Sequence, residues 1–369
     1  MSDLSFNLHE AKRNFPLLEQ SWCQLYQSER DGFFLSFPWV KTWLQSLPDQ
    51  VSAKLLTVES EGEILLACLI GCSQNKSRNL FSLTEGHVNE TGILEIDDVV
   101  IERNGFLSAL SNKTQVLSVP ELLKKLGLNK VRINNIHQDH LKHILQHIDL
   151  GSCKKFVSNR PSYYVSLDQV RASYDGYLSL LSANKRRQIK RSKSLYTQKG
   201  ELLIQEASSV TEALLLFDKM VELHQKEWQT RGKDGSFSND FILTLHKKLI
   251  TDYYHAGQIC LFNFYNDEGS IGIIYGFISG DDFLYYQSGF NYSDDNRRKP
   301  GLTCHSMLVQ FLAGKGLKCY DFLAGDAPYK KSLSTGSYGM SHIEFFDSSI
   351  KSRLYLFARS VRRSIRNKY

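Results

Sequence analysis

Apolar positions along this chain of 369 residues change repeatedly between the helical spacing and the strand spacing. In the first half, apolar residues that recur every three or four positions predict helices over residues 8–30, 38–47, 120–126 and 137–148. Alternating or short continuous apolar runs predict strands over residues 53–58, 63–71, 93–101, 130–133 and 163–167. The first half is therefore predicted to be mixed α/β.

The second half has a more regular order. Helical patterns over residues 174–199, 210–231 and 239–256 flank a strand predicted over residues 201–205. Three strands then follow at 259–265, 271–279 and 283–290, separated by the turns 266–269 and 280–282. A helix to residue 315, a strand over 319–323, a short helix near Tyr329 and a strand over 342–347 complete the order. These elements predict an antiparallel meander followed by a helix and a further strand.

The length indicates two domains, because single cores stop growing beyond roughly 250 to 300 residues. Pro161 and the polar residues before it interrupt the periodicity over residues 158–161. We therefore predict an N-terminal domain over residues 1–160 and a second domain over residues 161–369, which includes a basic C-terminal helix.

The turn over residues 296–303, Asn-Arg-Arg-Lys-Pro-Gly-Leu-Thr, lies between the third strand of the meander and a helix. Backbone N–H groups at a helix start are unpaired and carry partial positive charge, so they attract anions. Pro300 presets the entry and Gly301 lets the backbone approach a ligand closely. The candidate anion-binding residues are Arg297, Arg298, Lys299, Gly301, Leu302 and Thr303. An ordinary solvated helix cap is the alternative.

The net charge of +6 is unevenly distributed. Residues 185–193 hold six basic residues and residues 351–369 hold seven, without an acid in either run. Such runs suit an anionic ligand, a membrane surface or nucleic acid, or they form solvated helix faces. The second run also keeps an apolar stripe of Leu354, Phe357, Val361 and Ile365. Contact with anionic lipid and packing on the second domain both fit this basic amphipathic helix, and packing is favoured.

Other classes of site and location receive little support. The seven cysteines are scattered and contain no Cys-x-x-Cys, which argues against a disulfide framework or a zinc knuckle. His137, His140, His143 and His147 share one side of a helix, a spacing compatible with zinc, but no carboxylate or cysteine partner stands out, so no metal is predicted. The first residues do not resemble a signal peptide, and the longest apolar run is too short to span a bilayer. The expected location is the cytoplasm.

Several motifs together resemble a known family. They are His224-x-x-x-Trp228, Tyr285-Tyr286-Gln-Ser-Gly289-Phe290, Pro300-Gly301-Leu302 and Asp321-Phe-Leu-x-Gly325-Asp-x-Pro-Tyr329-Lys330. This series resembles the acyltransferases related to the cellulose-biosynthesis CelD/BcsL type, a FemAB-like branch of the GNAT superfamily. Arg298-x-x-Gly301-x-Thr303 is similar to the GNAT loop that holds the pyrophosphate of acyl-coenzyme A, with Thr in the third position. The resemblance implies two GNAT-like halves, each a mixed, largely antiparallel sheet flanked by helices.

The resemblance also implies a chemistry. It predicts an acyl-CoA-dependent N- or O-acyltransferase that uses acetyl-CoA or another acyl-CoA and no metal. The acceptor would be an amino sugar, a glycan precursor or another small amine or hydroxyl compound. Tyr329 would return a proton to the departing thiolate, and Asp321 would act as a base or orient the acceptor. Predicted substrate-binding residues are His224, Trp228, Tyr286 and Lys330.

Alternatives remain for these residues and for the function. The alternative role of Tyr329 is packing, and that of Asp321 is an ion pair with a nearby cation. His224 and Trp228 would alternatively be core residues of an amphipathic helix. A FemAB-like transferase would use aminoacyl-tRNA, held along residues 185–193. A GNAT-like protein without catalysis would bind anions or a membrane surface. Apart from tRNA, nucleic acid is not expected, because few aromatic residues that could stack on bases surround residue 185.

Overall fold

The computed structural model describes residues 4–74, 82–97, 101–110 and 116–366. The chain divides into two compact units, one of Met1–Asn159 with Gly339–Tyr369 and one of Arg160–Tyr338. The sequence-based division also falls near residue 160, but it assigns Gly339–Tyr369 to the second domain. In the structure they group with the first unit.

Nine strands begin before residue 160 in the described part of the chain. They are β1 Ser5–Glu10, β2 Lys54–Ser60, β3 Glu63–Gln74, β4 Thr84–Val88, β5 Leu107–Ser108, β6 Leu117–Ser118, β7 Lys130–His137, β8 Ile148–Asp149 and β9 Lys154–Ser166. The helices of the same part are α1 Phe15–Leu25, α2 Ser28–Asp31, α3 Phe37–Ser46, α4 Leu94–Asp97, α5 Val119–Leu126 and α6 Gln138–Gln146. Short 3-10 helices lie at Ala11–Arg13 and Phe33–Leu35.

The remaining strands are β10 Leu203–Glu206, β11 Ile259–Asn266, β12 Gly269–Ser279, β13 Asp282–Phe290, β14 Cys319–Ala324 and β15 Gly336–Phe346. The remaining helices are α7 Leu167–Ala172, α8 Ala183–Thr197, α9 Val210–Thr230, α10 Asp240–Tyr253, α11 Pro300–Gly314, α12 Pro328–Leu333 and α13 Ile350–Arg366. Short 3-10 helices lie at Tyr177–Leu180, Ser236–Ser238 and Tyr254–Ala256. The predicted order of the second half is confirmed from residue 201 onward.

Three predictions for the first half are wrong. The helix predicted from residue 8 begins at Phe15, because Ser5–Glu10 pairs antiparallel with β2 instead. The strand predicted over residues 93–101 contains helix Leu94–Asp97, and residues 98–100 lie outside the described part of the chain. The predicted loop over residues 158–161 lies inside β9, since extended backbone suits both Pro161 and the residue before it.

The sheet of the first unit has the order β1-β2-β3-β4-β7-β15. Its ladders are antiparallel except for the parallel pair β4 and β7. Buried Lys130 on β7 joins both neighbouring strands, with Nζ 3.2 Å from Glu85 and 2.7 Å from Glu344. Two carboxylates compensate the buried ammonium, which would otherwise be costly to remove from water.

The sheet of the second unit has the order β9-β14-β13-β12-β11-β10. Strands β10 to β13 form the predicted antiparallel meander. Strand β14 runs parallel to β13, and their pairing covers Asp282–Leu284 and Cys319–Asp321. Beyond Leu284, β13 continues to Phe290 beside β12. On its other side, β14 pairs with β9 from Cys319 to Asp321 and again at Ala324. The two parallel strands therefore part in the middle of the sheet.

Helices cover both faces of this second sheet. Helices α8 and α11 bury Ile189, Cys304 and Leu308 in one core with Phe262 and Phe283. On the other face, Phe217 of α9 lies edge-on to Tyr275 of β12, with ring centroids 5.6 Å apart. The sheet is therefore buried on both sides, which explains its long apolar strands.

The stripe of the C-terminal helix does not pack as expected. Leu354, Phe357 and Val361 are exposed on α13, so the favoured interpretation of packing is wrong for these three residues. The side chain of Ile365 lies outside the described part of the structure.

The close contact of β13 with α9 gives a test of the fold. A Cβ added at Gly289 would lie 2.2 Å from the carbonyl oxygen of Met220. We expect Gly289→Ala to lower the free energy of unfolding by about 1–3 kcal/mol, because α9 would have to move off the sheet. Urea unfolding followed by circular dichroism measures this change.

Gly314→Ala is the matched control, since a Cβ there meets nothing within 4 Å. This variant should be as stable as the wild type or up to about 1 kcal/mol more stable, because Ala favours a helix over Gly. Equal stability of Gly289→Ala and Gly314→Ala would contradict the close packing of α9.

Candidate functional site

A cavity of about 390 Å³ lies in the second unit, beside the part of β13 that continues beyond its pairing with β14. Its walls come from α9 and the residue after it, from β13, from the start of α11 and from α12. The lining residues are His224, Glu227, Trp228, Arg231, Tyr285, Gln287, Ser288, Phe290, Tyr292, Lys299, Gly301, Leu302, His305 and Tyr329. Aromatic walls with a few polar groups are typical of small-molecule sites.

The N-terminus of α11 forms one wall. Its N-cap residue is Lys299, whose side chain does not cap the helix, and Gly301 and Leu302 of the first turn line the cavity. The first turn contains no acidic side chain. Backbone N–H groups of this turn are therefore available to a bound anion.

The other residues predicted for the anion site have partners elsewhere. Arg297 pairs with Asp295 at 2.8 Å, and Arg298 lies 3.3 Å from Glu268 and over the ring of Tyr196. Neither arginine lines the cavity. Among the three predicted cations, only Lys299 does so.

Buried Thr303 occupies the position at which the sequence departs from the GNAT loop. Its hydroxyl is hydrogen-bonded to that of Ser192 on α8 at 2.8 Å, and the Lys299 N–H donates to the same Ser192 hydroxyl at 2.8 Å. Thr303 thus ties the start of α11 to α8 and does not line the cavity.

A chain of three hydroxyl groups lies in the cavity wall. The hydroxyl of Tyr329 is hydrogen-bonded to that of Tyr285, which lies 2.7 Å from the hydroxyl of Ser288. Burial, followed by the neighbouring Tyr285, raises the pKa of Tyr329 well above its usual value. Both phenols keep their protons at neutral pH, and the role of Tyr329 as a proton donor stays a prediction.

His305 lies within this aromatic wall. Its ring stacks on Tyr329 with centroids 5.8 Å apart and meets Tyr285 edge-on at 4.7 Å. Its Nδ1 shares a hydrogen bond with the buried hydroxyl of Tyr320 at 2.7 Å. Burial, with a smaller contribution from Lys330, lowers the pKa of His305 to about 3. The imidazole is therefore neutral at physiological pH.

The end of α9 supplies the opposite wall. His224 is buried, and its ring meets that of Phe237 edge-on with centroids 5.0 Å apart. It also lines the cavity, so it is both a core residue and a wall residue. Trp228 lies one turn further on, beneath the guanidinium of Arg231, which pairs with Glu227 at 2.8 Å. This wall joins an aromatic surface to a pair of opposite charges.

Asp321 lies outside the cavity lining. It is fully buried and accepts hydrogen bonds from the Leu323 N–H at 2.8 Å and from the Tyr338 hydroxyl at 2.5 Å. Leu323 has a φ of 58°, a conformation that is costly for a branched side chain. Asp321 thus stabilises the end of β14, and its role as a base stays a prediction.

Lys330 and Tyr286 also lie outside the cavity lining. Lys330 Nζ donates to the carbonyl oxygens of Leu323 and Ala324, at 3.3 and 2.7 Å, and so closes the same turn. Tyr286 is the extra residue of a bulge on β13, and its ring packs against His246 with centroids 5.1 Å apart.

Several lining residues are not among the predicted site residues, of which Tyr285, Ser288 and His305 matter most for the chemistry. His305 follows Gly301 by four positions, so the helical repeat already places both on one face of α11. Tyr285 stands beside Tyr286 in the motif Tyr285-Tyr286-Gln-Ser-Gly289-Phe290, but the bulge decides which tyrosine faces the cavity. Strand alternation by itself does not predict that choice.

Neither a metal site nor a membrane span is found in the described ranges. Over residues 4–74, 82–97, 101–110 and 116–366, no group of three His, Cys, Asp or Glu side chains is placed to hold a metal ion. Within the same ranges, no helix is long and apolar enough to cross a bilayer.

Comparison with known proteins bears on the domain and on the fold. Residues 183–331, from the start of α8 into α12, match a family model described as an acetyltransferase (GNAT) domain. A search of curated proteins gives no match.

Solved structures share the fold at low sequence identity. FemX is 12% identical, over 89% of this chain and 95% of that chain, with a TM-score of 0.56. A conserved protein of unknown function from Bacteroides thetaiotaomicron is 10% identical over 89% and 96%, with a TM-score of 0.53. L-PGS from Bacillus licheniformis is 11% identical over 93% and 96%, with a TM-score of 0.50. The chain therefore has a mixed α/β, GNAT-like fold, and its cavity lies within the part that matches the acetyltransferase domain.

Proposed function

We propose that this protein is an acyl-CoA-dependent N- or O-acyltransferase of the CelD/BcsL type. Its acceptor would be an amino sugar, a glycan precursor or another small amine or hydroxyl compound, and acetyl-CoA is the first donor to test. The observation that carries the proposal is the cavity beside the first turn of α11, whose N-cap side chain makes no capping bond.

The donor would bind through the start of α11. Its pyrophosphate would accept hydrogen bonds from backbone N–H groups of Gly301 and Leu302, and Lys299 would add positive charge. The thioester would then enter the cavity toward Tyr285 and Tyr329. Arg297 and Arg298 carry ion pairs outside the cavity, so they are proposed to contribute only to the local field.

The hydroxyl chain would manage the proton of the reaction. The acceptor attacks the thioester carbonyl, a C–N or C–O bond forms, and the C–S bond of the tetrahedral intermediate breaks. Tyr329 gives its proton to the leaving thiolate, and the proton lost by the acceptor returns to Tyr329 through the hydroxyls of Ser288 and Tyr285. Neutral His305 holds the stacked ring of Tyr329 in place.

An aminoacyl-tRNA-dependent, FemAB-like transferase is the second candidate. Two observations favour it: the fold similarity to FemX, and the exposed side chains of Arg187, Lys190 and Arg191 on α8. The cavity would then hold the aminoacyl end, and α8 would follow the phosphate backbone.

Binding of acetyl-CoA separates the two candidates. We expect isothermal titration to detect binding of acetyl-CoA to the wild type and no binding to Gly301→Glu. The new carboxylate would fill the space at the start of α11 and would oppose the positive potential there. Gly314→Glu, at the other end of the same helix and in open space, should bind as the wild type does.

Failure of the wild type to bind acetyl-CoA, or unchanged binding in Gly301→Glu, would contradict the acyl-CoA proposal. A salt-sensitive gel shift with aminoacylated tRNA would then favour the second candidate.

Tyr329→Phe tests the proton donor. We expect kcat for acetyl transfer to amino sugars and simple amines to fall by roughly 100-fold, the usual loss on removing a general acid, with KM for acetyl-CoA little changed. Release of the coenzyme A thiol gives the rate. Tyr286→Phe is the control, because it removes the same hydroxyl group from a tyrosine outside the cavity lining, and it should keep the wild-type rate. A Tyr329→Phe variant with full activity would rule out this role.

The neutral state of His305 predicts a pH dependence of stability. The pKa is about 3 in the folded protein and about 6.5 when unfolded, so only the unfolded state gains a proton between these values. The contribution of neutral His305 to the free energy of unfolding is fully present above pH 6.5. It is lost as the pH falls toward 3, at about 1.4 kcal/mol per pH unit.

Urea unfolding between pH 7 and 4 measures this slope. His305→Phe should lose stability with falling pH less steeply than the wild type, whereas His255→Phe, at an exposed site, should keep the wild-type slope. Equal slopes for His305→Phe and the wild type would show that His305 is protonated in the folded state.

A further inference from the structure

The C-terminal helix α13 presents an apolar stripe to solvent. Ile350, Leu354, Phe357 and Val361 are exposed by 76%, 40%, 69% and 42%. Their spacing of four, three and four residues places them within about 60° on one side of the helix. A helix of a globular protein ordinarily buries such a stripe, so its exposure requires an explanation.

The opposite side of α13 attaches the helix to the first unit. Arg359 pairs with Glu344 of β15 at 2.6 Å, and its guanidinium also lies over the ring of Phe156. Buried Ser352 bonds to the carboxylate of Asp347, and Tyr355 stacks on Phe346 with centroids 6.0 Å apart. The apolar stripe therefore faces outward because other side chains already hold the inner side of the helix.

Basic residues flank the stripe on both sides. By the helical repeat, Arg353 lies on one side of it, while Lys351 and Arg362 lie on the other. All three side chains are exposed, and residues 350–366 contain no acid. At the start of β9, Lys154 and Lys155 are exposed as well, next to the partly exposed ring of Phe156.

We propose that α13 binds the surface of an anionic membrane. Its apolar stripe would lie at the boundary between headgroups and acyl chains, and its flanking cations would contact anionic headgroups. A second protein surface would need complementary acids to pair with these cations, whereas an anionic bilayer supplies both required environments at once. A helix in this position lies on the membrane and does not cross it.

Co-sedimentation of the full chain with vesicles tests the proposal. Vesicles of equal parts phosphatidylglycerol and phosphatidylcholine should bind the protein at low salt, and pure phosphatidylcholine vesicles should bind it far less. Sodium chloride should weaken the binding, because salt screens the attraction between cations and headgroups.

Two variants separate the contributions. Phe357→Ser should reduce binding to the mixed vesicles by roughly tenfold or more, the factor expected when one inserted aromatic side chain is lost. The double variant Lys351→Gln with Arg353→Gln should remove most of the preference for phosphatidylglycerol. Leu215→Ser, at an exposed apolar position on α9, is the matched control and should bind as the wild type does. Circular dichroism confirms that each variant is folded.

Several outcomes would overturn the proposal. These are equal binding to both kinds of vesicle, unchanged binding of Phe357→Ser, and the absence of binding to either. If sedimentation equilibrium shows a dimer that Phe357→Ser dissociates, while vesicles are not bound, the stripe contacts a second copy of the chain. A salt-sensitive complex with duplex RNA in place of vesicle binding would assign the basic residues to nucleic acid.

Discussion

The candidate site depends on the point at which β13 and β14 stop pairing. Their parallel ladder ends at Leu284 and Asp321, whereas β13 continues beside β12 to Phe290 and β14 stays beside β9, with a pair at Ala324. Continuous pairing would fill the space between the strands with backbone hydrogen bonds. Because the strands part, the side chains of β13 and the first turn of α11 line a cavity.

The parting requires support at the end of β14. Leu323 adopts a positive φ there, its N–H donates to the Asp321 carboxyl group, and Lys330 Nζ donates to the carbonyl oxygen of Ala324. The conspicuous motif over residues 321–330 therefore includes residues that hold the backbone as well as Tyr329, which faces the cavity. A charged residue in a motif can thus be essential to the site without touching a substrate.

Polar aromatic groups give the cavity its electrostatic character. Burial favours the neutral form of each titratable group, so it raises the pKa of Tyr329 and lowers that of His305. The result is a wall of neutral hydrogen-bonding groups, while charges remain at Lys299 and in the Glu227–Arg231 pair. This separation suits a ligand with an anionic part near α11 and a neutral reacting centre deeper in the cavity.

The sequence by itself determined the element order of the second half, the meander and the turn before α11, because helix and strand periods, turn residues and Pro300-Gly301 are local signals. It also placed Gly301, Leu302, Trp228 and Tyr329 among the candidates. The strand at Ser5–Glu10 could not be predicted, since it forms only by pairing with β2, which is distant in sequence.

Tertiary structure alone decided which candidates meet. Arg298 forms an ion pair with Glu268, and Thr303 forms a hydrogen bond with Ser192. A bulge places Tyr285 in the cavity wall, where Tyr286 had been expected. The stripe of α13 had the pattern of a buried face, yet Arg359 and Tyr355 attach the other side of the helix and leave Phe357 exposed. Periodicity shows that a helix has an apolar side, but only contacts between residues far apart in sequence determine where that side faces.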